Sequence, residues 1–176
     1  MKRLVVITVL SSTLALAGSI AARNTDAPRL LSNPPSMDFS IRSEASYKGR
    51  FEYLMLKLED SDPFVRVEAV QGLGELPGEM SLVTVSKCLQ DENMYVRAYA
   101  AEAMGKIGKL NPSLALSGLL SVLHDPSAYV RAMAASALGE LQDERATAPL
   151  RKLLDDDDKS VRGMATWALG KIEPCR

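Results

Sequence analysis

The sequence predicts an all-α protein, an α-solenoid of four stacked helix pairs, and three observations carry that expectation. The pairs Val65-Arg66, Val96-Arg97, Val130-Arg131 and Val161-Arg162 recur at spacings of 31, 34 and 31 residues. Self-similarity at such a period marks a stacked repeat array. The same phrase surrounds each pair: an acid, a helix-capping residue, Val-Arg, a run of small residues, then Leu-Gly or Met-Gly and an aliphatic. Aromatics are only 5% of the 176 residues while Leu and Ala abound, which suits a helical core of aliphatic and small side chains.

The chain opens on what reads as an export signal, residues 1–21. A basic start, Met1-Lys2-Arg3, precedes a largely apolar stretch from Leu4 to Ala17. Ala15-x-Ala17 and Ser19-x-Ala21 fit the small-x-small cleavage rule. The alternative is an uncleaved membrane anchor, although Ser11, Ser12, Thr13 and Gly18 weaken the stretch as a permanent helix. After cleavage no membrane insertion is expected, and the location is periplasmic or secreted. Removing Lys2 and Arg3 from 21 basic residues leaves 19, against 22 acids. That balance offers no electrostatic footprint for nucleic acid.

Residues 22–43 read as a flexible linker, interrupted by Pro28, Pro34 and Pro35 and rich in Ser, Asn and Asp. Leu30-Leu31 and Met37-x-Phe39 within it are alternatively a short docking motif. The repeat domain is expected over residues 44–176, with copies at about 47–76, 79–107, 113–141 and 145–173.

Each copy reads as two helices. The second helix starts at Asp62, Asn93, Ser127 and Asp158, all residue types that cap helix N-termini by accepting a bond from an otherwise unpaired N–H. Pro63 follows the first of these, where its missing N–H costs nothing. Val65, Ala69, Gly72, Leu73 and Leu76, and Val130, Ala134, Ala137, Leu138 and Leu141, form the apolar stripe of an amphipathic helix. Gly74, Gly105, Gly139 and Gly170 recur near the helix ends and predict close packing or helix exit. The first helices align on Leu58, Leu89, Leu123 and Leu154, and one turn earlier on Leu54, Val85, Leu119 and Leu150. The longer 34-residue step puts its extra residues near Gly108 to Ser113, in a loop, where they are tolerated.

Two cysteines are too few for a disulfide framework. Cys88 and Cys175 fall two repeats apart, beyond bridging distance, so Cys88 is expected to be half-buried, and Cys175 free or paired between chains.

The phrases DPSAYVRAMAASALGELQDERATAPLRKLL (Asp125 to Leu154) and DDDDKSVRGMATWALGKI (Asp155 to Ile172) resemble HEAT-like repeats of the type named after phycobilisome lyases. The resemblance covers roughly Tyr47 to Glu173 and implies paired antiparallel helices used mostly as a protein-binding scaffold. It also implies an Asp and, six residues on, an Arg that form a ladder between repeats. Asp60 and Arg66, Asp91 and Arg97, Asp125 and Arg131, and Asp156 and Arg162 all keep that offset. The acids sit by helix N-termini, where negative charge is favoured, and a guanidinium can bridge two loops through several directed bonds. Four equivalent copies argue for a structural rather than a catalytic role.

No catalytic residues, metal site or cofactor is expected. His124 is the only histidine and aligns with Glu59, Gln90 and Asp155, a polar column at a helix end. Some HEAT-like hydroxylases bind iron through repeated His-Glu pairs, and this chain has none. Asp155 to Asp158 lack the Gly and later Glu of a calcium loop and read as cap chemistry. Neither a nucleophile elbow nor a phosphate-cradling loop occurs.

The functional signal lies on the second helices. Four positions on each share a face off the core stripe. They hold Phe64, Glu68, Gln71 and Glu75; Tyr95, Tyr99, Glu102 and Lys106; Tyr129, Met133, Ser136 and Glu140; and Ser160, Met164, Trp167 and Lys171. Core columns barely change between copies, while this face changes freely. Tyr, Trp and Met are typical interface residues. In solenoids of the resembled type the second helices line the concave side. The expected site is therefore a protein- or peptide-binding concave face comprising Phe64, Glu68, Tyr95, Tyr99, Glu102, Tyr129, Met133, Met164 and Trp167. The alternative for the Phe64, Tyr95 and Tyr129 column is packing between repeats, and for Trp167 closure of the core's end. The expected function is an exported, non-enzymatic scaffold. The alternative is an accessory subunit or lyase-like enzyme akin to the chromophore lyases.

Overall fold

The computed structural model of the protein describes residues 39–173, with side chains from residue 46. The proposed signal, the linker up to Asp38 and Cys175 lie outside the described residues. Eight α-helices occur among those residues: α1 Phe39–Lys57, α2 Pro63–Gly74, α3 Glu79–Cys88, α4 Met94–Ile107, α5 Pro112–Ser121, α6 Ala128–Leu141, α7 Thr147–Lys152 and α8 Lys159–Ile172. They form four pairs, α1/α2 through α7/α8, at the four copies of the repeat. Helix α1 begins at Phe39, ahead of the expected start at Glu44, because no Gly or Pro lies between Phe39 and Glu44 to break it. The α5 and α7 helices tighten into 3-10 turns at Val122–His124 and Leu153–Asp155 before the acid of each repeat.

The caps explain where the second helices start. The side chains of Asp62, Asn93 and Asp158 accept from Phe64 N at 2.9 Å, Tyr95 N at 2.9 Å and Ser160 N at 2.7 Å. Ser127 departs from the expectation. Its backbone has the extended cap geometry, but its hydroxyl makes no cap bond and turns instead toward Met94 Sδ at 3.4 Å. Helix α6 ends on Gln142 in the left-handed region, φ 55°, whose N–H bonds to Leu138 O. That exit usually belongs to glycine, so the recurring glycines have another duty.

That duty is contact between layers. A Cβ placed on Gly74 would stand 2.8 Å from Ala103 Cβ, on Gly105 3.0 Å from Ala137 Cα, and on Gly139 2.9 Å from Ala168 Cα. Each glycine thus admits the next second helix to backbone contact. Helices α2, α4, α6 and α8 pack one on the next in a continuous row, and the first helices approach one another less extensively. The second helices are thus the more closely packed row of the stack, the row expected to line its inner side. Between the rows runs one core, filled by Leu73, Leu82, Leu89, Met104, Leu119, Leu138 and Leu150 together with many alanines. Cys88 has no disulfide partner among the described residues and is half-buried against this core.

Candidate functional site: the inner face and the rungs beneath it

The structure turns the Asp–Arg offset into rungs. Arg66 Nε and Nη2 each donate at 2.9 Å to the two oxygens of Asp91, one repeat on. Arg97 clasps Asp125 in the same way at 2.7 and 2.9 Å, and Arg131 clasps Asp156 at 2.8 Å on both bonds. Within its own repeat each arginine reaches only the backbone. The Nη1 groups of Arg66, Arg97 and Arg131 donate to the carbonyls of Asp60, Asp91 and Asp125. The partner is therefore the acid of the following repeat, not the one six residues earlier. A consequence of that offset is that Asp60 and Arg162, the outermost members, form no ion pair among the described residues. The remaining acids at Asp155–Asp158 divide as expected: Asp156 completes a rung and Asp158 caps α8.

The rungs fix the loops from which the second helices spring, and so the spacing of the inner face. On that face Phe64 is 70% exposed, Tyr95 42%, Tyr129 41%, Met164 41% and Trp167 40%. Three of them, Phe64, Tyr95 and Tyr129, are in contact in a line as well as with solvent. Phe64 and Tyr95 stack at 6.4 Å between centroids, and Tyr95 meets Tyr129 edge-on at 6.0 Å. The rings of this column bridge neighbouring repeats and still present a side to solvent. Burial, reinforced by the adjacent Tyr99, pushes the Tyr129 hydroxyl above its ordinary pKa. Tyr99 and Met133 sit lower, partly buried and packed on the core, and form the floor of the face.

The polar members are arranged around that floor. Glu68 accepts from Lys57 at 2.7 Å, and Glu102 from Lys106 at 2.7 Å. Trp167 does not close the core. A Cβ on Gly139 would meet its Cζ3 at 2.8 Å, so one edge lies over the α6–α8 seam, while Lys171 Nζ stands 5.2 Å from the ring centroid. Between α4 and α6 the face deepens into a cavity of about 410 Å3 lined by Glu102, Gly105, Lys106, Lys109, Met133 and Ser136 among others. Lys109, in the longer inter-repeat loop, was not singled out by the column comparison because the column ends at Lys106.

His124 is exposed on the opposite side, beside a smaller cavity lined by Leu120, Leu123, Pro149 and Lys152. Among the described residues no cluster of His, Cys, Asp and Glu is arranged to hold a metal ion. No helix among them is long and apolar enough to cross a membrane.

Paired antiparallel helices, interlocked by a repeated Asp–Arg rung, define a helical-repeat protein. Residues 51–116 and 116–174 match HEAT repeats, and the chain belongs to that family. No curated protein matches it significantly. Among solved structures it is similar to the complex of CpcE and CpcF of phycocyanin lyase from Nostoc sp. PCC7120, at 18% identity and a TM-score of 0.61. That match covers 73% of this chain and 89% of the other. Human deoxyhypusine hydroxylase is similar at 25% identity and a TM-score of 0.60, with 72% of this chain covering 43% of the enzyme. An engineered protein follows at 21% identity and a TM-score of 0.55, covering 76% of this chain and 66% of its own. The phycocyanin lyase likeness agrees with the resemblance of the residues to phycobilisome-lyase-type repeats, and it extends to the fold.

Proposed function

We propose that the chain is an exported, non-enzymatic scaffold that binds a protein or peptide on the inner face of its HEAT-repeat array. The observation that carries this reading is the exposed line of Phe64, Tyr95 and Tyr129, continued by Met164 and Trp167, on a framework whose stability rests elsewhere. Aromatic and methionine side chains half-open to solvent beside a groove are suited to anchor a partner. Glu68, Glu102, Lys106 and Lys171 give the rim charges of both signs. The basic, apolar start of the chain, with its small-x-small sites, supports export.

The exposed rings, rather than the floor residues Tyr99 and Met133, are the proper probes, because removing the floor also disturbs the core. In a pull-down from the envelope fraction, Tyr95→Ala with Tyr129→Ala and Trp167→Ala should lose partners that the unchanged protein retains, with the helical content intact. Full retention of those partners by the triple variant discards the proposal.

The likeness to a phycocyanin lyase complex favours a second reading, an accessory subunit or lyase-like enzyme. A chromophore that co-purifies with the chain, seen as absorbance beyond that of the protein, would select it over the first.

A further inference from the structure

We propose that copies of this chain associate head to tail, with Arg162 of one copy clasping Asp60 of the next in a rung that continues the internal ladder.

Each internal rung is built from two halves that are set before they meet. The arginine half is held by its own loop. Nη1 of Arg97 donates to Asp91 O at 2.8 Å and Glu92 O at 3.1 Å, which aims Nε and Nη2 at the following repeat. Arg162 is held identically, with Nη1 on Asp156 O at 2.7 Å and Asp157 O at 2.9 Å. Its Nε and Nη2 have no acceptor among the described residues.

The acid half is held by the N–H two residues on. Asp91 Oδ1 accepts from Asn93 N at 2.8 Å, Asp125 Oδ1 from Ser127 N at 2.9 Å and Asp156 Oδ1 from Asp158 N at 2.9 Å. Asp60 Oδ1 accepts from Asp62 N at 2.8 Å, in the same turn. No cation pairs with Asp60 among the described residues. One chain therefore carries, at opposite ends of its array, a forked donor and the carboxylate it fits.

Small residues also surround the arginine half. Val67, Ala98 and Ala132 are buried beneath the next layer, as are Gly74, Gly105 and Gly139. The aligned residues of α8, Gly163 and Gly170, are exposed, and a Cβ on either meets nothing within 4 Å. Thr166 lies exposed between them, where the other copies bury Val70, Ala101 and Ala135. On its outer side α8 thus presents the small, uncharged Gly163, Thr166 and Gly170, with Lys159 exposed one turn before Gly163. The residues that meet the glycines inside the array are Ala103, Ala137 and Ala168; the aligned residue of the first repeat is Gly72, where Leu54 Cδ2 of α1 stands 2.8 Å from the place of a Cβ and would have to turn aside. Charge complementarity between ends of the same chain selects a second copy as the occupant. A contact between unlike surfaces does not close on itself at a dimer, so growth continues with concentration unless a ring forms.

Sedimentation velocity on the full chain over a range of concentrations tests this. The average mass should rise with concentration. Arg162→Asp and Asp60→Arg should each raise the apparent dissociation constant at least about tenfold, because each juxtaposes like charges. Mixing the two variants should restore association, since every joint between unlike variants again pairs an acid with an arginine. That recovery separates a lost contact from a lost fold. A chain that stays monomeric at every concentration overturns the proposal. So does association that both variants leave unchanged, or one that only Arg162→Asp removes, which would place the acid it meets elsewhere on the chain.

Discussion

Arg97 and Asp125 grip each other through two parallel hydrogen bonds across the second and third repeats, with side chains only 14% and 6% exposed. Breaking such a pair from one side leaves a carboxylate uncompensated in a dry position. Arg97→Ala should therefore destabilise the array by about 3–5 kcal/mol. Arg97→Lys should recover only part, because an ammonium cannot form the fork. Urea unfolding followed by circular dichroism checks both. A loss below 1 kcal/mol for Arg97→Ala would show that the rung contributes as little as an exposed ion pair.

The rungs also set the response to acid. Burial pushes the carboxyls of Asp91 and Asp125 up, but the hydrogen bonds from Arg66 and Arg97, the N–H groups of Asn93 and Ser127 and the neighbouring charges together outweigh it, and both are held below the usual carboxylate range. For Asp156 the hydrogen bond from Arg131 is the dominant cause of the same lowering. A carboxyl depressed in the folded state stabilises it above the unfolded pKa, about 4, and loses that contribution as pH falls through the folded value. Stability should hold from neutral pH to about 4 and then fall. In the double variant Arg97→Ala with Asp125→Ala the acid limb should be shallower, as read by thermal midpoints across pH. An unchanged slope would remove the rung from the account.

The glycines divide into two classes that substitution will separate. Gly139→Ala drives a methyl into the backbone of Ala168 and should cost about 1–3 kcal/mol. Gly49→Ala, inside α1 with nothing within 4 Å, should stabilise by about 0.5–1 kcal/mol through helix propensity alone. Thermal melts of the two variants should shift in opposite directions.

Burial pushes the Cys88 thiol up to about 11, with the Asp91 charge adding to the rise and Arg66 opposing it. The thiolate is the reactive form. In a Cys175→Ser background, alkylation at pH 7.5 should be slow in the folded protein and fast in denaturant. Rapid stoichiometric labelling of the native chain would show that the α3 end opens readily.

Periodicity made the architecture legible because the same contact recurs in every copy. The Val-Arg pairs, the caps and the leucine columns all respond to the same stacking geometry and so repeat in the sequence. The direction of the ladder was not legible. The shared spacing implied a ladder between repeats without saying which neighbour each arginine meets, and the side chain reaches forward to the loop that stacking brings alongside, a relation between layers rather than along the chain. Ser127 misled for a similar reason. Residue type favours the cap, but Met94 of the preceding repeat offers its hydroxyl another contact. On the inner face, freedom from repetition identified the column, and the structure sorted it by depth, separating Tyr99 and Met133 from the exposed rings around them.

Since the arginine forks and the second-helix contacts join only consecutive layers, tension applied along the array would be borne by these joints in series. Each can open without releasing its neighbours and re-form when the load is removed, because the carbonyls behind each Nη1 keep the guanidinium poised. The protein would then stretch in steps, as a short molecular spring.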